Sequence, residues 1–129
     1  MVFVTDTHSL IWYLTGDERI GKNAKRVFAD LEVGKGKLII SIVVLLETLV
    51  LVEKGKIKAS WEEFNEKVAQ FPTAVFYPIG FDIIQNIKEV NQSLDLHDRI
   101  LVTTAKIHKA GIITKDKEIK RAKKVKTVW

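Results

Sequence analysis

No cysteine is present among the 129 residues. That excludes a disulfide scaffold, a thiolate zinc site and a cysteine nucleophile, and it fits a reducing compartment. Long hydrophobic runs are also missing. The longest, Leu38 to Val52, is 15 residues and already contains Ser41, Glu47 and Thr48, whereas a membrane-spanning helix needs about 20 mostly apolar residues. Residues Met1 to Asp6 carry no basic side chain, so they do not read as a signal peptide. The expectation is a cytoplasmic protein with no membrane attachment. No Gly-x-Gly-x-x-Gly follows the first apolar run, which argues against dinucleotide binding. The stretch Gly16 to Asn23 approaches a phosphate-binding loop, but Asn23 stands where Ser or Thr must hold magnesium and no strand precedes it. A haloacid-dehalogenase-type phosphatase needs a second Asp where this chain has His8.

What is present describes a globular chain, with 47% hydrophobic and 29% charged residues. Residues 1–129 read as one domain, with no linker, repeat or low-complexity segment. The net charge of +5 is concentrated near the end. The window Lys115 to Lys126 holds seven basic residues (Lys115, Lys117, Lys120, Arg121, Lys123, Lys124, Lys126) against Asp116 and Glu118. Such a strip attracts polyanions, and it is equally read as a solvated surface.

Short apolar runs alternate with helical patterns. Strands are predicted at Val2–Val4, Leu38–Ile40, Ala74–Tyr77, Gly111–Thr114 and Lys126–Trp129. Helices are predicted around Leu10, Ile11 and Leu14, and around Ala24, Val27, Phe28 and Leu31. A third runs from Ile42 to Lys54, capped by Ser41 and ended by Gly55. Others carry Trp61, Phe64 and Val68, then Ile83 to Val90, then Asp95 to Lys109. Uniformly apolar strands joined by helical crossovers predict a three-layer α/β/α sandwich, with a central, mostly parallel sheet of four to five strands.

In open parallel sheets ligands bind beyond the carboxyl ends of the strands. Asp6 follows the first strand and Asp116 follows the fourth. Asp98 lies in the first turn of the helix leading to that strand. Glu47 is the only charged residue between Leu38 and Val52, in a helix expected to be mostly buried. A carboxylate there must find a partner, either a structural salt bridge or a metal. Each acid also has a plain structural reading: Asp6 as a helix cap, Asp98 as an acid in a first turn capped by Asp95, Asp116 as the start of an Asx-turn. Four carboxylates gathered together repel unless a cation joins them, and oxygen-only donors suit Mg²⁺ or Mn²⁺. His97 could orient Asp98 or meet a phosphate, or be a plain surface histidine.

These residues also resemble a known family. Val4-Thr5-Asp6-Thr7-His8-Ser9-Leu10-Ile11-Trp12-Tyr13-Leu14 resembles the opening of PIN-domain nucleases, particularly the VapC-type toxins. Ser41 to Gly55, Leu96 to Ala105 and Ile113-Thr114-Lys115-Asp116 resemble their other three acidic motifs, in the right order and over essentially the whole chain. Thr103-Thr104 departs slightly from the pattern, without touching the acids.

The resemblance implies a divalent-metal-dependent endoribonuclease cleaving single-stranded RNA through metal-activated water. Asp6 and Asp98 match its most direct metal ligands, and Glu47 and Asp116 complete the set. Thr114, Arg99 and Lys115 are possible substrate contacts, with Arg99 otherwise structural. The resemblance further implies a homodimer and a small antitoxin protein whose tail lies in an apolar groove and blocks the acidic site. A housekeeping RNA-processing PIN nuclease and a non-catalytic RNA-binding PIN module are the alternatives.

Overall fold

The computed structural model describes residues 1–122 and 124–129. The chain runs β1 (Val2–Thr5), α1 (Thr7–Thr15), α2 (Lys22–Glu32), β2 (Lys37–Ser41), α3 (Ile42–Glu53), α4 (Trp61–Ala69), β3 (Ala74–Tyr77), α5 (Phe81–Ile87), α6 (Leu96–His108), β4 (Gly111–Ile113), α7 (Lys117–Ala122) and β5 (Thr127–Val128). The five strands form one sheet in the order β3-β2-β1-β4-β5, and every pairing is parallel.

From β1 the chain steps outward to β2 and β3, then crosses back to β4 and β5. Right-handed crossovers therefore place α1–α4 on one face of the sheet and α5–α7 on the other. The packing agrees: α1 touches α2, α3 and α4, while α5 packs on α6. The expected three-layer sandwich is what forms.

The sheet's centre is almost wholly apolar. Val4, Ile39, Ile40, Ile112 and Ile113 are essentially inaccessible, and they pack with Leu10, Phe28, Leu31 and Leu101 from the helices. Gly111 opens β4 because a Cβ there would meet the Phe3 ring at 2.7 Å. Gly16 ends α1 in the left-handed conformation, with φ 67°, which glycine adopts without a Cβ penalty. Thr48, Thr103 and Thr104 are buried, and each hydroxyl donates to a carbonyl four residues back. That return bond lets polar residues sit in an apolar layer at little cost.

Three expectations need correction. First, α3 is not mostly buried. Only Val44 and Thr48 are, while Leu46 and Val50 stand 53% and 43% exposed. The helix is apolar all round but packs with one side only. Second, α5 stops at Ile87 instead of reaching Val90, which is buried in the following turn. Third, part of the basic strip folds as α7, anchored by buried Ile119. Lys123 of that strip lies outside the described residues.

Candidate active site

The strand order reverses between β1 and β4, and the loops leaving their carboxyl ends part there. Such a switch point opens a crevice in a doubly wound sheet. A cleft of about 210 Å³ lies here, lined by Asp6, Thr7, His8, Glu47, Asp95, His97, Asp98 and Asp116. The four acids singled out in the sequence thus meet, although they come from four separate segments.

Each acid is positioned by local structure. Asp6 caps α1, its Oδ1 accepting from the Ser9 amide at 2.9 Å. Its Oδ2 accepts from the Thr114 hydroxyl, which binds the end of β1 to the end of β4. Asp6 is therefore both a cap and a cleft residue. Asp116 accepts from the Glu118 amide at 2.7 Å and the Ile119 amide at 3.2 Å, while its own amide donates to Thr114 Oγ1 at 3.0 Å. This is the expected Asx-turn, and it starts α7. Asp98 stands in the first turn of α6, whose cap Asp95 accepts the Asp98 amide at 2.8 Å.

Glu47 is partly exposed rather than deeply buried, because α3 shows its outer side to solvent. Its Oε2 accepts from the Thr7 hydroxyl at 2.6 Å and lies 3.0 Å from His97 Nε2. His97 Nε2 is also 3.3 Å from Thr7 Oγ1. His97 thus pairs with Glu47 rather than orienting the neighbouring Asp98. Thr7, on the first position of α1, completes this trio.

The other expected contacts divide. Thr114 is buried, and its hydroxyl donates to Asp6. Arg99 donates from Nη2 to the Ile87 carbonyl at 3.0 Å, which ties α6 to the end of α5 as a structural link. Lys115 is exposed, with its ammonium 4.6 Å from the centre of the Trp12 ring. Asp95, Thr7 and His8 line the cleft without having been singled out as site residues. Asp95 reads in sequence as a cap alone, and nothing local marks the contacts of Thr7 with residues 40 and 90 positions away.

The electrostatics reflect this crowding. Burial, followed by the negative charges of Asp95, Asp116, Asp6 and Glu47, pushes Asp98 from 3.8 up to about 7. The donors are oxygen in kind, as a hard divalent cation requires, with no sulfur among them. Among the described residues, no three acids or histidines form a group that holds an ion as they stand.

Several solved structures share this architecture. VapBC2 from Rickettsia felis, solved bound to a DNA fragment from its promoter, matches with a TM-score of 0.71 at 15% identity, covering 99% of this chain and 98% of that one. A toxin–antitoxin complex from Klebsiella pneumoniae matches at 0.68 and 23% identity, covering 98% and 95%. VapC20 from Mycobacterium tuberculosis, described as a toxin that cleaves the sarcin–ricin loop, matches at 0.65 and 16% identity, covering 95% of each chain. At these identities the likeness is one of fold. No curated protein sequence matches the chain. The sequence model of the PIN domain matches residues 3–125, nearly the whole chain. Family model, fold and acidic cleft agree: the chain belongs to the PIN domain family.

Proposed function

We propose that this protein is a divalent-metal-dependent endoribonuclease and the toxin of a toxin–antitoxin pair. The observation that carries the reading is the convergence of Asp6, Glu47, Asp98 and Asp116 on one cleft, where burial and then the neighbouring negative charges raise Asp98 to about 7. Oxygen donors gathered in this way are of the kind that a hard divalent cation takes. Membership of the PIN domain family and a fold shared with toxin structures support the same reading.

Asp6 and Asp98 are the direct ligands in this proposal, with Glu47 and Asp116 completing the charge. Bound Mg²⁺ or Mn²⁺ supplies neutralisation of the phosphate and a water acidic enough to attack it. The chain's own groups hold this arrangement in place. Thr114 fixes one oxygen of Asp6, and the Ser9 amide fixes the other. Thr7 and His97 fix one oxygen of Glu47 and leave the second free of protein hydrogen bonds among the described residues. The Glu118 and Ile119 amides hold Asp116 by a single oxygen.

The proposal includes two protein partners: a second copy of the chain and an antitoxin. Exposed Leu46 and Val50 on α3, with Phe76, Ile79, Phe81 and Ile84 around β3 and α5, support it, since isolated domains seldom leave so much apolar surface in water.

The test is cleavage of a mixed RNA pool by partner-free protein, with Mg²⁺ or Mn²⁺ and with chelator, for wild type and Asp6→Asn. Cleavage that disappears in the variant and on chelation is expected. Cleavage that survives both, or its absence from the wild type, overturns the proposal.

A further inference from the structure

A second depression adjoins the acidic cleft and has the opposite charge. It measures about 550 Å³ and runs between α1 and the segment following α3. Ile11, Leu51 and Ile57 give it apolar walls, while Arg19, Lys56 and Lys58 bring three cations against one acid, Asp17. His8 lines both depressions, so the two are neighbours across its side chain. Trp12 also lines the groove, and two cations lie against its ring: Arg19 at 4.8 Å and Lys115 at 4.6 Å from the ring centre. Lys115 sits between Thr114 and Asp116 in the chain, so Trp12 links the acidic loop to the basic groove. Arg19 is held further by Asp17 through two hydrogen bonds of 3.0 and 2.8 Å.

We propose that this groove carries the single-stranded RNA flanking the scissile phosphate, with Lys56, Lys58 and Arg19 meeting its backbone and the apolar walls meeting its bases. The inference rests on the ribonuclease reading of the acidic cleft. A strand with one phosphate among carboxylates must continue across the adjoining surface, and its next phosphates need cations. The groove supplies them where the strand leaves. Single-stranded nucleic acids are bound by a cationic track beside apolar or aromatic surface, a combination present here. The cation–π contacts at Trp12 hold Arg19 and Lys115 in fixed positions, which lowers the ordering cost of binding a flexible polyanion. The proposal places the strand on this groove and not on the lysines of α7.

The test measures binding of a fluorescent mixed-sequence RNA 12-mer by anisotropy over a range of salt. Asp6→Asn protein serves as the non-cleaving parent. It is compared with the same protein carrying Lys56→Gln and Lys58→Gln, and with one carrying Lys117→Gln and Lys120→Gln on α7. Loss of two phosphate contacts should make the slope of log K against log salt shallower by about 1.4, with a clear loss of affinity, for the groove pair alone. In cleaving protein the groove pair should raise KM and leave kcat in place, the sign of lost uniform binding. An unchanged slope in the groove pair, or the loss falling on the α7 pair, overturns the inference while RNA cleavage by wild type still stands. A poly-glutamate peptide that needs Lys56 and Lys58, with RNA indifferent to them, also overturns it and assigns the groove to an acidic protein segment. RNA bound by no form, with no cleavage, removes the ribonuclease reading itself.

Discussion

The strand bodies and the strand ends of this sheet follow opposite rules. In the bodies, Val4, Ile39 and Ile112 are sealed from water and packed on apolar helices, so every neighbour adds to stability. A few residues on, the ends bring Asp6, Glu47, Asp98 and Asp116 together, where burial and the neighbouring charges raise the Asp98 carboxyl. The pairing that stabilises the first region creates the second. Parallel strands must end on one side in register, and whatever follows them is gathered there. The difference teaches that folding energy is collected in the layer beneath and spent on the rim.

The sharpest division comes from Asp6→Asn. Asn keeps the capping acceptor, so the melting temperature should barely move. Cleavage should fall on the order of a thousandfold, because several kcal/mol of charge stabilisation go with the carboxylate. Next, Ile112→Ala in the floor should cost about 2–5 kcal/mol in urea unfolding, with no specific effect on metal binding. If it left stability intact, the floor would not be the source of folding energy. Thr114→Val should keep the packing and weaken metal affinity or turnover by about 10–100-fold, since Asp6 loses its orienting hydroxyl.

Asp98→Asn tests the rim from the other side. The folded protein holds the Asp98 proton up to about 7, whereas the unfolded chain releases it near 3.8. The folded state therefore binds the extra proton, and stability falls as pH rises between those values. In metal-free protein the variant should melt higher than wild type above pH 7, with the gain shrinking towards none near pH 4. A gain equal at every pH contradicts the crowding. The smallest change belongs to Leu46→Ser on the outer side of α3. It should alter stability by less than about 0.5 kcal/mol and register only in self-association, measured by sedimentation.

Much of this arrangement was legible in the sequence because its signals are local. Short apolar runs such as Leu38–Ile40 have few alternatives to buried parallel strands, and Asp6 and Asp116, just past the first and fourth runs, fall at the carboxyl ends. The α3 run Ile42–Val52 misleads because apolar composition measures what a helix can bury and not what covers it. Leu46 and Val50 are exposed since no element of the same chain packs over them. The segment Lys117–Ala122 hides its helix under lysines, although Ile119, Ala122 and the cap at Asp116 carry the pattern. The trio of Thr7, Glu47 and His97 has no local signature, because three separate segments must fold before its members meet.

The central place of β1 also sets the order in which the protein can become active during its synthesis. The first strand made pairs on one edge with β2 and on the other with β4, and the bond from Thr114 to Asp6 spans 108 residues. Until that late stretch leaves the ribosome, β1 has one open edge and the cleft lacks Thr114 and Asp116. A growing chain that has not yet reached Asp116 therefore has no complete acidic centre. The acidic centre thus exists only once the sheet has closed on both sides of its first strand.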